Sequence, residues 1–206
     1  MEEILALFAE TEVFIYVFME VITKITTIHR VIMKKARWLD TLIFILVFGA
    51  FSIFGTYIGI PLPSGAITNI RDLGPMVAGL VVGPLAGLGV GLIGGIHRFL
   101  LGGFTCVPCS IATVFAGLIG GAVYYFNKGK LIGILPAMLV ALVVECVHGG
   151  LTLLILRPFE AAFDVIKHAI PAMMVANSLG MAISIIIISK ELKDAAEPLP
   201  RDANAN

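Results

Sequence analysis

The chain has 206 residues, 59% of them hydrophobic and 14% charged, with a mean hydropathy of +1.02. A soluble domain of this size has too little polar surface to cover so much apolar side chain, so the composition excludes a water-soluble globular protein and makes this a membrane protein. Fourteen Lys plus Arg balance fourteen Asp plus Glu, so the total says nothing about partners and the positions of the charges carry the information.

Apolar segments cover 4–23, 39–60, 73–101, 105–126, 131–156 and 169–189. Lipid admits only helices or closed barrels, and these runs lack strand alternation, so all are predicted helical. The same character recurs along the chain, which excludes a cleavable signal in the first run. Glu10, Glu12 and Glu20 mark that run as a helix that packs on a partner or is only partly immersed. Lys24, Arg30, Lys34, Lys35 and Arg37 follow, a short basic connection placed in the cytoplasm by the positive-inside rule. "NKGK" (Asn127 to Lys130) and "SKELK" (Ser189 to Lys193) are placed inside by the same rule.

Three apolar segments lie between the first two basic connections, yet a return to the same side takes an even number of crossings. Segment 73–101 resolves the conflict. It is longer than the roughly 20 residues of one span, and "VGPLAG" interrupts it with Pro84 after Gly83. Proline favours the first helical position, so the segment is predicted to split into a short helix, Asp72 to Val82, and a full one, Pro84 to Leu101. That gives seven helices, N-terminus outside and C-terminus cytoplasmic, with Arg71 and Arg98 both at the outer end. Gly79, Gly83, Gly87, Gly91 and Gly95 recur every four residues, a face for close helix packing. Gly89, Gly91 and Gly94 fit G-x-G-x-x-G, but no strand precedes them and a dinucleotide site is rejected. No cofactor is expected.

Two arginines at the membrane surface want partners. They either snorkel to headgroups or form an anion site, since two guanidiniums can grip one carboxylate through paired hydrogen bonds. Helix starts support the second reading. Asn69 can cap the short helix, and Pro108 in "TCVPCS" marks a helix start that leaves N–H groups near Cys109 and Ser110 facing the site. Cys106 and Cys109 form C-x-x-C with His97 as the one histidine close in sequence. A metal site, a regulatory thiol and a polarizable pocket wall remain open for them, with no metal expected; Cys146 completes no disulfide framework. Glu145 falls in mid-span, with His148 on the same face and Asn177 of the last span as a possible partner.

"NIRDLGPMVAGLVVGPLAGLGVGLIGGIHRFLLGG", "TVFAGLIGG", "VVECVHGGLTLLILRPFE" and "MMVANSLGMAISIIII" resemble the membrane sensor region of LytS/YhcK-type receptor histidine kinases, from about the first span to Lys190. The resemblance implies detection of an outer signal and control of a cytoplasmic kinase portion, with small carboxylates such as pyruvate as ligands. It places the carboxylate on Arg71 and Arg98 and Cys109 in the pocket wall; Asn69, His97, Ser110, Thr113, Glu145 and Asn177 complete the candidate set. The region is also similar in pattern to the S-components of energy-coupling-factor transporters. This implies a six-helix bundle with a short second helix, here with one added N-terminal helix, and a transport subunit is the alternative function. The chain departs from the sensor family at Ile70, at Ala112 followed by Thr113, and at His148, where members often carry Gln.

The expected layout is a transmembrane sensing domain over 1–192 and a cytoplasmic tail over 193–206. "DAAEPLPRDANAN" carries no kinase sequence, so the chain itself is not expected to be an enzyme and reads as the membrane portion of a kinase or a module that signals through a partner. Expected partners are the lipid bilayer, a small anion, a cytoplasmic kinase or response regulator and a second copy in a homodimer, but no nucleic acid. An intramembrane enzyme is the weakest reading, because sequence places no nucleophile, base and orienting group together.

Overall fold

The computed structural model describes residues 2–61 and 67–197. Among them are eight helices: α1 (Glu2–Ile22), α2 (Thr26–Ile32), α3 (Trp38–Tyr57), α4 (Leu73–Val82), α5 (Pro84–Leu100), α6 (Cys106–Phe126), α7 (Ile134–Ile155) and α8 (Phe159–Asp194). Two-residue strands β1 (Ile60–Pro61) and β2 (Ile67–Thr68) pair antiparallel between α3 and α4, with Ile60 opposite Thr68. Helices α3, α6, α7 and α8 are long and apolar enough to cross a membrane, and α4 and α5 are shorter apolar helices. The protein is therefore an all-α, multi-pass membrane bundle.

The predicted split is present. Gly83 adopts φ 119°, a conformation that favours glycine, and Pro84 starts α5 directly after it. Helix α4 is buried from Leu73 to Val81 and packs against α3, α5, α6 and α8. The glycine face of α5 meets α6 backbone to backbone. A Cβ on Gly91 lies 2.9 Å from the Thr113 carbonyl oxygen, one on Gly95 lies 2.8 Å from that of Ser110, and one on Gly87 collides with the carbonyl of Gly117. Helix α1 lies against α3 and α8. Phe18 stacks on Phe51 with ring centroids 4.3 Å apart, and Ile15 is fully buried beside Gly180. Of its carboxylates, Glu20 pairs with Lys24 at 2.8 Å and Lys190 at 3.9 Å.

Two expectations are corrected. The basic linker contains α2, which buries Ile28, Val31 and Ile32 at helical spacing, so there are eight helices rather than seven. The last helix begins at Phe159, ten residues before the expected 169: Pro158 precedes it, Glu160 suits its first turn, and Ala162, Val165 and Ala169 form a buried stripe beneath the charged residues. Helix α8 ends at Asp194, and residues 198–206 of the expected tail lie outside the described residues.

The basic connections gather at one end of the bundle. Lys34 donates to the Val81 carbonyl at the end of α4 and lies 4.4 Å over the Tyr124 ring near the end of α6. His29 of α2 meets Glu191 of α8 at 3.5 Å. Between Arg37 and Lys128 the chain thus passes between the two ends four times, in α3, the short α4, α5 and α6, and returns to its starting end.

Candidate ligand-binding site

At the opposite end, Arg71 stands just before α4 and is completely enclosed. Its backbone is pinned first: the Arg71 N–H donates to Asn69 Oδ1 at 3.1 Å, and the Ser52 hydroxyl of α3 donates to its carbonyl at 2.9 Å. The side chain then reaches α6, where Nε donates to Thr113 Oγ1 at 2.7 Å. The Thr113 hydroxyl lies 2.6 Å from Asp72 Oδ1 and 2.9 Å from the Cys109 carbonyl oxygen. Arg71 Nε and Asp72 Oδ1 are 3.7 Å apart, so Thr113 ties a buried cation to a buried anion. Neither Nη1 nor Nη2 of Arg71 meets an acceptor among the described residues, although both atoms are buried. Arginine keeps its charge in any surroundings, so Arg71 holds two buried charged donors without an acceptor among the described residues.

Helices α7 and α8 supply the facing wall. Asn177 Nδ2 donates to Glu145 Oε1 at 2.8 Å, with both side chains fully enclosed, which is the inward, partnered Glu145 that its mid-span position requires. His148, one turn on, hydrogen-bonds Cys109 and lies close to two carboxylates without a hydrogen bond from Nδ1. Its Nδ1 lies 3.2 Å from Asp72 Oδ2 and 3.5 Å from Glu145 Oε2, and its Nε2 lies 3.2 Å from Cys109 Sγ. Cys109 and His148 border a cavity of about 20 Å³, closed by Thr105, Thr152 and the α8 residues Val165, Ala169 and Met173. It has room for about one water.

Asp72, Glu145 and His148 each offer a ligand atom within 4.8 Å of the others, a spacing compatible with a divalent cation. The Arg71 cation 3.7 Å from the same Asp72 carboxylate competes for that position. The group reads instead as a network that shares charge among Arg71, His148 and two carboxylates.

Several expected site residues sit differently. Arg98 does not converge with Arg71 by direct contact. Its Nη1 donates to the Gly102 carbonyl at 2.6 Å and its Nη2 to Thr105 Oγ1 at 2.9 Å, closing a turn in which Gly102 and Gly103 have positive φ. Arg98 reaches the cavity only through Thr105, which shares its wall with Cys109. Asn69 does not cap α4; the N-cap is Asp72, without a side-chain cap bond, and Asn69 serves the Arg71 N–H instead. The Cys109 N–H is no free helix-start donor, because it donates to the Thr105 carbonyl at 3.1 Å. Ser110 turns its hydroxyl to the Cys106 carbonyl at 2.6 Å. His97 Nε2 lies 3.1 Å from the Tyr57 hydroxyl, and the histidine at Cys109 is His148, from another helix. The three cysteines are free thiols. Asp72, Thr105 and Ser52 escaped the sequence reading, although Asp72 directly after Arg71 in an apolar stretch was a visible signal.

A multi-pass bundle with an enclosed polar site near one end defines the class, and the comparisons supply the family. The family model described as "5TMR of 5TMR-LYT" matches residues 25–191. The chain belongs to this family, the membrane sensor region of LytS-type kinases. It is 32% identical over 148 residues to the sensor histidine kinase BtsS of Escherichia coli K12, covering 69% of this chain and 26% of that protein. It is 30% identical over 187 residues to the sensor protein LytS of Bacillus anthracis, covering 84% of this chain and 32% of that one. The chain thus spans about a quarter to a third of these relatives' length. No solved structure matches it.

Proposed function

We propose that the chain is a receptor that binds a small carboxylate, of the size of pyruvate, from the outer side and passes the event through α8 to a cytoplasmic kinase portion or a response-regulator partner. The observation that carries the reading is Arg71, whose enclosed Nη1 and Nη2 lack acceptors among the described residues. A carboxylate is the anion whose two oxygens match that fork. Arg98 contributes charge from the α5–α6 turn, and Cys109, Thr113 and the Glu145–Asn177 pair form the surrounding wall. The order of helices α3 to α8, with α4 short, supports likeness in layout to transporter S-components.

The cavity beside Cys109 has a volume of about 20 Å³, which is smaller than a three-carbon acid. Binding therefore pushes α8 away from α6 and α7. Helix α8 carries Val165, Ala169 and Met173 in the cavity wall and continues unbroken to Asp194 at the other end, with Pro171 in its interior as a ready bending point. A displacement at the site thus arrives at the end of the bundle where the basic connections lie.

Calorimetry of the purified chain against small carboxylates tests this. A charge-assisted hydrogen bond contributes about 1.5–3 kcal/mol, so Arg71→Ala is expected to weaken binding by roughly ten- to a hundredfold. Arg98→Ala is expected to cost less, because it acts through Thr105. Unchanged affinity in Arg71→Ala, or equal binding of an uncharged amide analogue, overturns the reading.

A further inference from the structure

We propose that a cavity at the basic end of the bundle binds the headgroup of an anionic phospholipid such as phosphatidylglycerol, with the phosphate on Lys130 and Lys34 and the start of the acyl chains against α4 and α8. The site stands at the opposite end from Arg71 and does not depend on the carboxylate reading.

The cavity lies between the ends of α2, α4 and α8 and the turn from α6 to α7, and its volume is about 310 Å³, which is within the range of small-molecule pockets. Its walls are of two kinds. Leu80, Leu131, Ile188 and Leu192 make them apolar, Lys34 and Lys130 add two ammonium groups, and no acid is among the described lining residues. The two lysines are held differently. Lys34, in a left-handed turn after α2 with φ 58°, donates to the Val81 carbonyl, lies 3.4 Å from the Tyr124 hydroxyl and sits over that ring. Its ammonium is thus fixed in place with a proton still to donate. Lys130 is exposed in the turn, and its ammonium has no hydrogen bond or ion pair among the described residues.

The acids at this end supply no counterion. Glu191 meets His29, Glu20 meets Lys24 and Lys190, and Asp40 meets Arg30, while Asp194 and Glu197 do not line the cavity. Two cations on an apolar cavity fit a ligand that is anionic at one end and apolar at the other. Depth selects a lipid over a free anion. Trp38 at the start of α3 and Tyr125 and Phe126 at the end of α6 are exposed at this same end, and such aromatic side chains mark the membrane–water interface. Lipid phosphates lie at that level, where a basic pocket between membrane helices takes an anionic headgroup. Ile188 and Leu192 belong to α8, so the lipid packs on the last turns of the last helix.

The test is native mass spectrometry of the full chain released from detergent, with dioleoyl phosphatidylglycerol and dioleoyl phosphatidylcholine offered in equal amounts. One phosphatidylglycerol is expected to stay bound under conditions that strip phosphatidylcholine. Lys130→Gln is expected to weaken its retention about fivefold, the contribution of one lysine beside an anionic lipid surface. Lys35→Gln, which removes a cation outside the cavity wall, is expected to change nothing. Leu192→Trp, which fills the cavity and keeps both lysines, is expected to abolish the adduct, and excess soluble glycerol phosphate is expected not to displace the lipid. Equal retention of the two lipids, an equal loss in Lys35→Gln, or an unchanged adduct in Leu192→Trp overturns the site. Displacement by glycerol phosphate overturns the lipid and makes the cavity a site for free phosphate. Only the backbone carbonyl of Lys130 is used within the protein, by Asn127, so Lys130→Gln leaves the fold intact and the comparison with wild type stands whatever Leu192→Trp does.

Discussion

Asn177 and Glu145 show what an enclosed polar pair demands of its neighbours. The amide donates at 2.8 Å to a carboxylate that water does not reach, and the same amide nitrogen lies 3.3 Å from the Asn69 carbonyl oxygen. Interhelical hydrogen bonds in membrane proteins contribute only about 0.6 kcal/mol on average, but stripping the donor from a buried carboxylate leaves its full desolvation uncompensated, about 1–3 kcal/mol. Asn177→Leu is therefore expected to lower the thermal stability of the detergent-solubilised chain. Adding Glu145→Leu is expected to restore part of the loss, because an apolar pair replaces an orphaned charge; a double variant less stable than the single one refutes this. The pairing was legible in the sequence because a carboxylate in mid-span needs a partner and few polar residues stand at its depth. Arg71 was legible for the same reason. Asp72 stood visibly beside Arg71, but its role was not legible, since a carboxylate at a helix start looks like an ordinary terminus until α6 and α7 bring Thr113 and His148 to it. His148 could be placed on Glu145's face by its spacing, but its contact with Cys109 depends on how α6 and α7 pack, which no spacing within one helix encodes.

The helices differ in how much of their packing a single atom can disturb. On α5, a Cβ added at Gly87 runs into the backbone carbonyl of Gly117, a rigid neighbour, whereas on α7 a Cβ added at Gly150 meets nothing within 4 Å. Gly87→Ala is expected to push α5 from α6 and destabilise the bundle by about 1–3 kcal/mol, as overpacking does. Gly150→Ala is expected to be neutral or to stabilise by up to about 1 kcal/mol through helix propensity. Thermal unfolding of the two variants side by side checks this, and equal midpoints contradict the packing account. The glycine repeat and the Gly83–Pro84 break were readable because each is a local signal with a local consequence. Helix α2 and the first ten residues of α8 were not. Search for long apolar runs passes over amphipathic helices, and both segments bury only a stripe, Ile28, Val31 and Ile32 in one and Ala162 and Val165 in the other.

Across the whole molecule the charges sort by end. Lys34, His29, Lys190 and the turn from Asn127 to Lys130 stand together, tied through Val81, Tyr124, Glu191 and Glu20. Arg71, Arg98, Asn69 and the Tyr57–His97 contact stand at the other end. Helix α4 makes this separation possible. As a buried short helix it carries the chain from the site back to the basic end without presenting a full span to lipid, so the three basic connections share one side and the parity conflict in the sequence disappears. Lysine and arginine in short connections near membrane helices set orientation, so we propose that the basic end faces the cytoplasm and the Arg71 end faces outward. In a background with Cys106, Cys109 and Cys146 replaced by Ala, Phe104→Cys is expected to react with a membrane-impermeant maleimide in intact cells. Lys130→Cys is expected to react only after the membrane is opened. The reverse pattern inverts the receptor, and with the Arg71 site facing the cytoplasm an outer carboxylate could not be its signal.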